Sequence, residues 1–192
     1  MLESRLCNLL VRSEVCSFGG EKLDFDILSQ PDRRDWDKLN LDGFLSRNSK
    51  EVRTPEIFDC AKTLRSQYKK VGVIGFCFGG WAVFRLGANE NNGLVDSIST
   101  AHPSLLEKEE MEKVGVSVQI LAPEHDQMSS PELKEHANKV IPTLGVPYDY
   151  EYFPGIEHAF AIRGDPNLPG ERNGMERAKN AAVLWFRQWL GD

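Results

Sequence analysis

Positions 75–79 of the chain read Gly-Phe-Cys-Phe-Gly and follow a short apolar run, Val-Gly-Val-Ile, at positions 71–74. The apolar run is typical of a buried strand, and Trp-Ala-Val-Phe-Arg-Leu at positions 81–86 is typical of a helix. The form Gly-x-Cys-x-Gly between them predicts a sharp turn that lifts the side chain of Cys77 above a sheet. Glycine is expected at Gly75 and Gly79 because a Cβ there would collide with a neighbouring strand or helix. Cys77 is therefore a candidate nucleophile, and the alternative is a buried structural cysteine.

A nucleophile at such a turn needs a base, and the base needs an acid that orients it. The candidate bases are the histidines of the chain, all of which follow Cys77: His102, His125, His136 and His158. His158 is predicted to be the base because it lies in a glycine-bearing loop between the alternating segment 148–153 and the last helix. The alternative is a solvated loop histidine.

Two carboxylates compete for the role of the acid. Both follow residues 116–122, whose apolar pattern is typical of a buried strand. We favour Asp126 over Glu124 because Asp126 lies farther into the loop at the carboxyl end of this strand. The alternative for Asp126 is a turn or capping residue before the next helix. His125 and Asp126 have no partner at the spacing of a metal site, so no metal is predicted.

Three segments resemble the dienelactone hydrolase family of the α/β-hydrolase superfamily: Gly75 to Gly80, residues 122–126, and Phe153 to Phe160. The separations of 49 residues from Cys77 to Asp126 and 32 residues from Asp126 to His158 are also similar to those of the family. The resemblance covers the chain from Cys77 to its end, extends back through residues 43–45, and is greatest to fungal members, in which residues 99–104 have counterparts.

The resemblance implies an α/β fold with a doubly wound, mostly parallel sheet. It also implies a hydrolase of a carboxylic ester, lactone or thioester that forms an acyl-enzyme on Cys77, with His158 as base and Asp126 as acid. The N–H of Phe78 begins the helix and is expected to donate to the oxyanion. Arg163 resembles the arginine that holds a substrate carboxylate, and the alternative is a solvent-facing side chain. No cofactor is expected.

Two other functions are open to the same sequence. Only 76 residues precede Cys77, which is fewer than in the family. We therefore expect a sheet that lacks its first strands and a site that lacks the loop with the second oxyanion donor. This predicts lowered turnover, and a sheet edge covered by residues 1–17 or by a homodimer. A catalytically impaired binding protein is one alternative function, and a thioesterase-like release or editing hydrolase of a fungal biosynthetic pathway is the other.

Composition limits the class of protein. With 192 residues, 41% hydrophobic and 27% charged, the chain is predicted to be a single domain, residues 1–192. The net charge of −6 and the lack of a basic patch argue against nucleic acid, and no apolar run is long enough to span a membrane. The four cysteines lack the spacing of a disulfide framework, and the start lacks the features of a secretory signal. These features favour unpaired thiols and the cytoplasm.

The remaining elements follow from periodicity. A helix is predicted to begin at residues 54–56, with Thr54 as its cap and Pro55 at its first position. Strands are predicted near 95–100, 116–122 and 148–153, and a helix near 131–140. The last helix is predicted to bury one stripe of residues: Ala178, Ala181, Ala182, Trp185 and Trp189.

Overall fold

The computed structural model describes residues 40–191, together with residues 27 and 38. Within these residues four strands form one sheet in the order β1 (Gly72–Phe76), β2 (Ser97–Ala101), β3 (Ser117–His125) and β4 (Tyr148–Glu157). Each strand is parallel to its neighbour. The helices are α1 (Leu41–Arg47), α2 (Lys50–Gln67), α3 (Gly79–Leu86), α4 (Lys108–Glu112), α5 (Pro131–Val140), α6 (Phe160–Arg163) and α7 (Pro169–Leu190). Because the strands are parallel, their carboxyl ends and the loops that follow them meet at one edge of the sheet.

Apolar side chains cover both faces of the sheet. On one face, Ile98 and Val118 belong to a buried cluster that includes Phe84 of α3 and residues of α2 and α5. On the other face, Leu121 and Phe153 belong to a second cluster with residues of α6 and α7. A parallel sheet with helices on both faces is the doubly wound α/β arrangement, and this prediction is confirmed.

Helix α7 buries four of the five residues of the stripe that its periodicity predicts, and the fifth, Trp189, is half-buried. Ala178, Ala181, Ala182 and Trp185 are buried against the sheet. The indole N–H of Trp185 also donates to the carbonyl oxygen of Ile98 at 3.0 Å, which ties α7 to the first half of β2. This buried hydrogen bond holds the helix in position on the sheet in addition to the apolar contacts.

Helix α2 begins earlier than the sequence pattern suggests. Ser49 is its N-cap and accepts a hydrogen bond from the N–H of Val52, so Thr54 and Pro55 lie inside the helix. The predicted cap at Thr54 is wrong because Ser49 offers a cap one turn earlier. The hydroxyl of Thr54 instead donates to the carbonyl oxygen of Lys50 at 2.6 Å.

The cysteines do not all behave as expected. Cys77 is a free thiol, whereas Cys60, in α2, is disulfide-bonded. The expectation of unpaired thiols is therefore wrong for Cys60, because spacing along the chain does not reveal which sulfur atoms approach each other in space. Cys7 and Cys16 lie outside the described residues, as do the proposed edge cover at residues 1–17 and any strands before β1.

No helix in the described part of the chain is both long enough and apolar enough to cross a membrane. The single-domain organisation of residues 1–192 stays a prediction.

Two adjacent glycines at the start of α3 give a matched test of packing. A Cβ on Gly80 would lie 2.4 Å from the Cβ of Pro103, whereas a Cβ on Gly79 would meet nothing within 4 Å. We expect Gly80→Ala to lower the free energy of unfolding by about 1–3 kcal/mol, because overpacking forces the neighbouring loop to move. Gly79→Ala is expected to leave it unchanged or to raise it by up to about 1 kcal/mol, the helix propensity difference. Urea denaturation of both variants measures this, and equal midpoints would contradict the packing argument.

Candidate active site

Cys77 occupies a strained turn between β1 and α3. Its backbone is left-handed, with φ of 48°, although it is not a glycine. The carbonyl oxygen of Cys77 accepts two hydrogen bonds, from the N–H of Gly80 at 2.9 Å and from the N–H of Ser104 at 2.8 Å. These bonds hold the turn to the start of α3 and to the loop after β2.

The two glycines that flank Cys77 play different parts. A Cβ on Gly75 would lie 2.2 Å from the carbonyl oxygen of Gly79, so the prediction that this position requires glycine is confirmed. The same prediction for Gly79 is wrong, because a Cβ there points into open space. The close approach on the helix side falls one residue later, at Gly80, which faces Pro103.

The structure brings Cys77, His158 and Asp126 into one hydrogen-bonded line. The sulfur of Cys77 lies 3.2 Å from Nε2 of His158, and Nδ1 of His158 lies 2.8 Å from Oδ1 of Asp126. The three side chains stand at or just beyond the carboxyl ends of β1, β4 and β3, so the parallel sheet itself places them together. This is the order of contacts in a nucleophile, base and orienting acid.

The carboxylate of Asp126 is fixed by the backbone that follows it. Its Oδ1 accepts hydrogen bonds from the N–H of Met128 at 2.9 Å and the N–H of Ser129 at 3.2 Å. Burial raises the pKa of Asp126, but the hydrogen bond and charge of His158 outweigh it, so the pKa lies below its ordinary value. The competing carboxylate, Glu124, is exposed and accepts the N–H of Gly155 at 2.7 Å. Glu124 therefore holds the turn before His158 and does not contact its ring.

The surroundings of Cys77 and His158 shift their pKa values in opposite directions, towards a thiolate and an imidazolium. Burial lowers the pKa of His158, but its hydrogen bonds to Asp126 and Cys77 outweigh this and raise the pKa to about 9. Burial raises the pKa of the Cys77 thiol, but hydrogen bonds to His158, Ser104 and the backbone of Phe78, with the charge of His158, hold it below its ordinary value. A group whose pKa is raised on folding stabilises the native state at low pH. The contribution of His158 is therefore complete below its ordinary pKa of 6.5 and is lost as the pH rises through about 9.

Two residues of the loop after β2 also reach the site: Ser104, for which the sequence predicted no role, and His102, which was a candidate base in place of His158. Ser104 lies with its hydroxyl oxygen 3.3 Å from the Cys77 sulfur and 3.5 Å from Nε2 of His158. His102 is fully buried, and its ring centroid lies 5.0 Å from that of His158. Burial and the charge of His158 lower the pKa of His102 to about 3, so its ring is neutral. The signal that could have found both residues is their position directly after a buried parallel strand.

The backbone N–H of Phe78 bonds to the Cys77 sulfur, and Arg163 lies within electrostatic reach of it. Arg163 ends α6, five residues after His158, and is half-buried. Burial lowers the pKa of Arg163, while the charge of Cys77 acts in the opposite direction. A cation within electrostatic reach of the sulfur is positioned to attract an anionic group.

The other histidines lie away from the sulfur. His125 is exposed at the end of β3, and its carbonyl oxygen accepts the N–H of His158 at 3.0 Å. His136 belongs to α5, where its ring lies beside Glu112. Among residues 27, 38 and 40–191, the structure gathers no group of three side chains that could hold a metal ion.

The fold is that of an α/β-hydrolase. The solved structure of a dienelactone hydrolase-like promiscuous phosphotriesterase, P91 from metagenomic libraries, superposes with a TM-score of 0.61 and 20% identity. The superposition covers 78% of this chain and 66% of that one. Residues 30–190 match the dienelactone hydrolase family, and the chain belongs to that family.

Two curated relatives support the assignment. Hydrolase tropI of Talaromyces stipitatus is 32% identical over 144 residues, and hydrolase pyvD of Aspergillus violaceofuscus is 28% identical over 173 residues. The matches cover 74% and 90% of this chain. The chain spans 56% of the length of tropI and 67% of the length of pyvD.

The choice between the two carboxylates gives a direct test. We expect Asp126→Asn to bring the pKa of His158 down from about 9 towards its ordinary 6.5, because the amide removes the negative charge that stabilises the imidazolium. Glu124→Gln is the matched control and should leave this pKa unchanged. An NMR pH titration of isotopically labelled histidine measures both. A drop in Glu124→Gln with none in Asp126→Asn would reverse the assignment.

Proposed function

We propose that the chain hydrolyses carboxylic esters, lactones or thioesters through a covalent acyl-enzyme on Cys77. The observation that carries this proposal is the line of contacts from the Cys77 sulfur through His158 to Asp126, at 3.2 and 2.8 Å. The hydrolases tropI and pyvD are relatives by sequence, which supports the same broad class of reaction.

In the first half of the reaction the Cys77 thiolate attacks the carbonyl carbon of the substrate. The carbonyl oxygen becomes an oxyanion, and the N–H of Phe78 at the start of α3 donates to it. The carbon–oxygen or carbon–sulfur bond to the leaving group then breaks. The leaving group takes the proton of the His158 imidazolium, so that a thioester on Cys77 and a neutral imidazole remain.

In the second half His158 acts as a base. It removes a proton from a water molecule, and the resulting hydroxide attacks the thioester carbon. Collapse of this second oxyanion releases the carboxylic acid and returns the sulfur as a thiolate beside the protonated His158. Asp126 keeps Nδ1 protonated throughout, so that Nε2 faces the sulfur and the water.

Arg163 supplies a candidate site for a carboxylate on the substrate. Its guanidinium is always charged and can hold a carboxylate through two parallel hydrogen bonds. The proposed substrate is therefore an ester, lactone or thioester that carries a second, anionic group. The expected lack of a second oxyanion donor concerns residues outside the described ones and stays a prediction, as do the homodimer and the cytoplasmic location.

The nucleophile is tested by substitution. We expect Cys77→Ala to lower kcat/KM by about three orders of magnitude or more, because triad members act as a unit. Cys77→Ser should fold like the wild type and change the rate, since serine fits the same turn. Intact-mass spectrometry after rapid quenching should show the wild type heavier by one acyl group, and Cys77→Ala should not gain this mass.

A substrate panel separates this proposal from its alternatives. The panel contains p-nitrophenyl esters, small lactones and acyl-thioesters, each assayed with the wild type and with Cys77→Ala as the blank. A rate confined to the thioesters would favour a release or editing hydrolase. Silence in all three classes from a chain with a native circular dichroism spectrum would contradict the proposed hydrolysis and favour a binding protein.

The role of Arg163 is tested by comparing substrates. Arg163→Gln should raise KM for an ester that carries a carboxylate on its acyl part by about tenfold, which corresponds to the loss of about 1.4 kcal/mol of binding. The same variant should leave KM for a neutral ester of equal size nearly unchanged. Arg172→Gln is the control, because Arg172 is exposed and donates to the carbonyl oxygen of Pro166. Equal changes for both esters would show that Arg163 does not bind the carboxylate.

A further inference from the structure

The hydroxyl of Ser104 lies beside the two groups that carry the proposed chemistry. Its oxygen is 3.3 Å from the sulfur of Cys77 and 3.5 Å from Nε2 of His158. We infer that Ser104 is a further catalytic residue, whose hydroxyl donates to the Cys77 thiolate as a second hydrogen-bond donor beside His158. This inference rests on the proposed role of Cys77 as the nucleophile.

The direction of the hydrogen bond follows from the chemistry of its neighbours. In the thiolate–imidazolium pair the sulfur can only accept, and the protonated Nε2 can only donate. The Nε2 proton is directed to the sulfur, which is nearer at 3.2 Å than the Ser104 oxygen at 3.5 Å. The hydroxyl hydrogen of Ser104 therefore has the sulfur as its acceptor in this pair.

Within the described residues, the Ser104 hydroxyl forms no hydrogen bond that would hold it away from the sulfur. Ser104 is 3% exposed, and a hydroxyl in such a place needs a partner. Its only partners among these residues are Cys77 and His158. Among these residues, removal of the hydroxyl therefore changes only the surroundings of the Cys77 sulfur and of Nε2 of His158.

The loop that carries Ser104 is held tightly against the turn at Cys77. The N–H of Ser104 donates to the carbonyl oxygen of Cys77 at 2.8 Å, and the N–H of His102 donates to the carbonyl oxygen of Leu121 at 3.0 Å. His102 and Leu105, on either side, have left-handed backbones with φ of 41° and 58°. Non-glycine residues adopt this conformation at a cost of about 1–3 kcal/mol each, and such strain concentrates at functional sites. The loop is thus fixed at both ends in the conformation that brings the hydroxyl to the sulfur.

Three of the four other titratable groups around the sulfur lie outside the loop that carries Ser104. His158 and Asp126 follow β4 and β3, Arg163 lies in α6, and His102 follows β2 with a neutral ring. Burial opposes the charge on the sulfur, whereas hydrogen bonds to His158, Ser104 and Phe78 favour it.

The test compares two serine-to-alanine variants. Ser104→Ala removes the proposed donor, and Ser97→Ala is the matched control. Ser97 is a buried serine of β2 whose hydroxyl has no hydrogen-bond partner in the described part of the chain. The rate of reaction of the full-length protein with an aromatic disulfide is measured from pH 5 to 11, and the rate of Cys77→Ala is subtracted to isolate Cys77.

We expect the plots of reaction rate against pH for the wild type and for Ser104→Ala to cross. Loss of a hydrogen bond to a charged group should raise the thiol pKa by about one unit. Because a more basic thiolate is also more nucleophilic, Ser104→Ala should react about threefold more slowly than the wild type at low pH and about threefold faster at high pH. Ser97→Ala should follow the wild type at every pH. A purely structural role for Ser104 would not produce the crossing.

Two results would overturn the inference. One is a Ser104→Ala profile that coincides with those of the wild type and Ser97→Ala. The other is a Ser104→Thr variant with a native circular dichroism spectrum that behaves like Ser104→Ala, since threonine keeps the hydroxyl. The thiol titration needs no substrate, so it stands apart from the proposed function, which would fail if Cys77→Ala kept the esterase activity.

Discussion

The site depends on the left-handed backbone of Cys77 at the point where β1 becomes α3. Such a conformation costs a non-glycine residue about 1–3 kcal/mol, so surrounding contacts must impose it. The carbonyl oxygen of Cys77 accepts the N–H groups of Gly80 and Ser104, and the absent Cβ of Gly75 leaves room for the backbone of Gly79. These contacts join the strand, the helix and the next loop into one unit. The thiol is consequently held in place before any substrate arrives, which is how a site avoids the cost of ordering it later.

The electrostatics of the site depend on two opposite neighbours of His158. Asp126 is ionised and bonded to Nδ1, which favours the imidazolium. His102 lies at a ring separation of 5.0 Å, where a second positive charge would oppose it. Burial keeps His102 neutral, with a pKa of about 3, so that this ring adds bulk without charge. The raised pKa of His158 therefore comes from the hydrogen bonds and charges of Asp126 and Cys77, and the neutral ring of His102 does not oppose it.

Features that depend on local periodicity could be predicted from the sequence. Features that depend on contacts between residues distant in the chain could not. The strand–turn–helix at Cys77, the limits of α5 and the buried stripe of α7 each follow from a short pattern. The predicted cap at Thr54 failed because Ser49 offers the same chemistry one turn earlier. The free space beside Gly79 and the position of the Ser104 hydroxyl both depend on the path of the loop after β2. The spacing of residues along the chain does not reveal that path. His102 and Leu105 have left-handed backbones although neither is a glycine. The residue types at these positions therefore gave no signal of the strained conformation.

The proposed mechanism starts from a thiolate at Cys77, and this changes the role of the hydrogen-bond donors around the sulfur. On the proposed mechanism, attack needs no proton transfer, so His158 enters as an acid to the leaving group and only later as a base to water. Donors aimed at the sulfur stabilise the ground state, which by itself slows attack, because negative charge leaves the sulfur for the carbonyl oxygen in the transition state. The N–H of Phe78 stabilises the negative charge on the sulfur before attack and is also the proposed donor to the oxyanion. The same group can therefore stabilise the charge both before and during the reaction. Ser104 is instead fixed on the sulfur by a rigid loop. Its contribution is therefore greatest in maintaining the thiolate at neutral pH, and smallest in the step that consumes it.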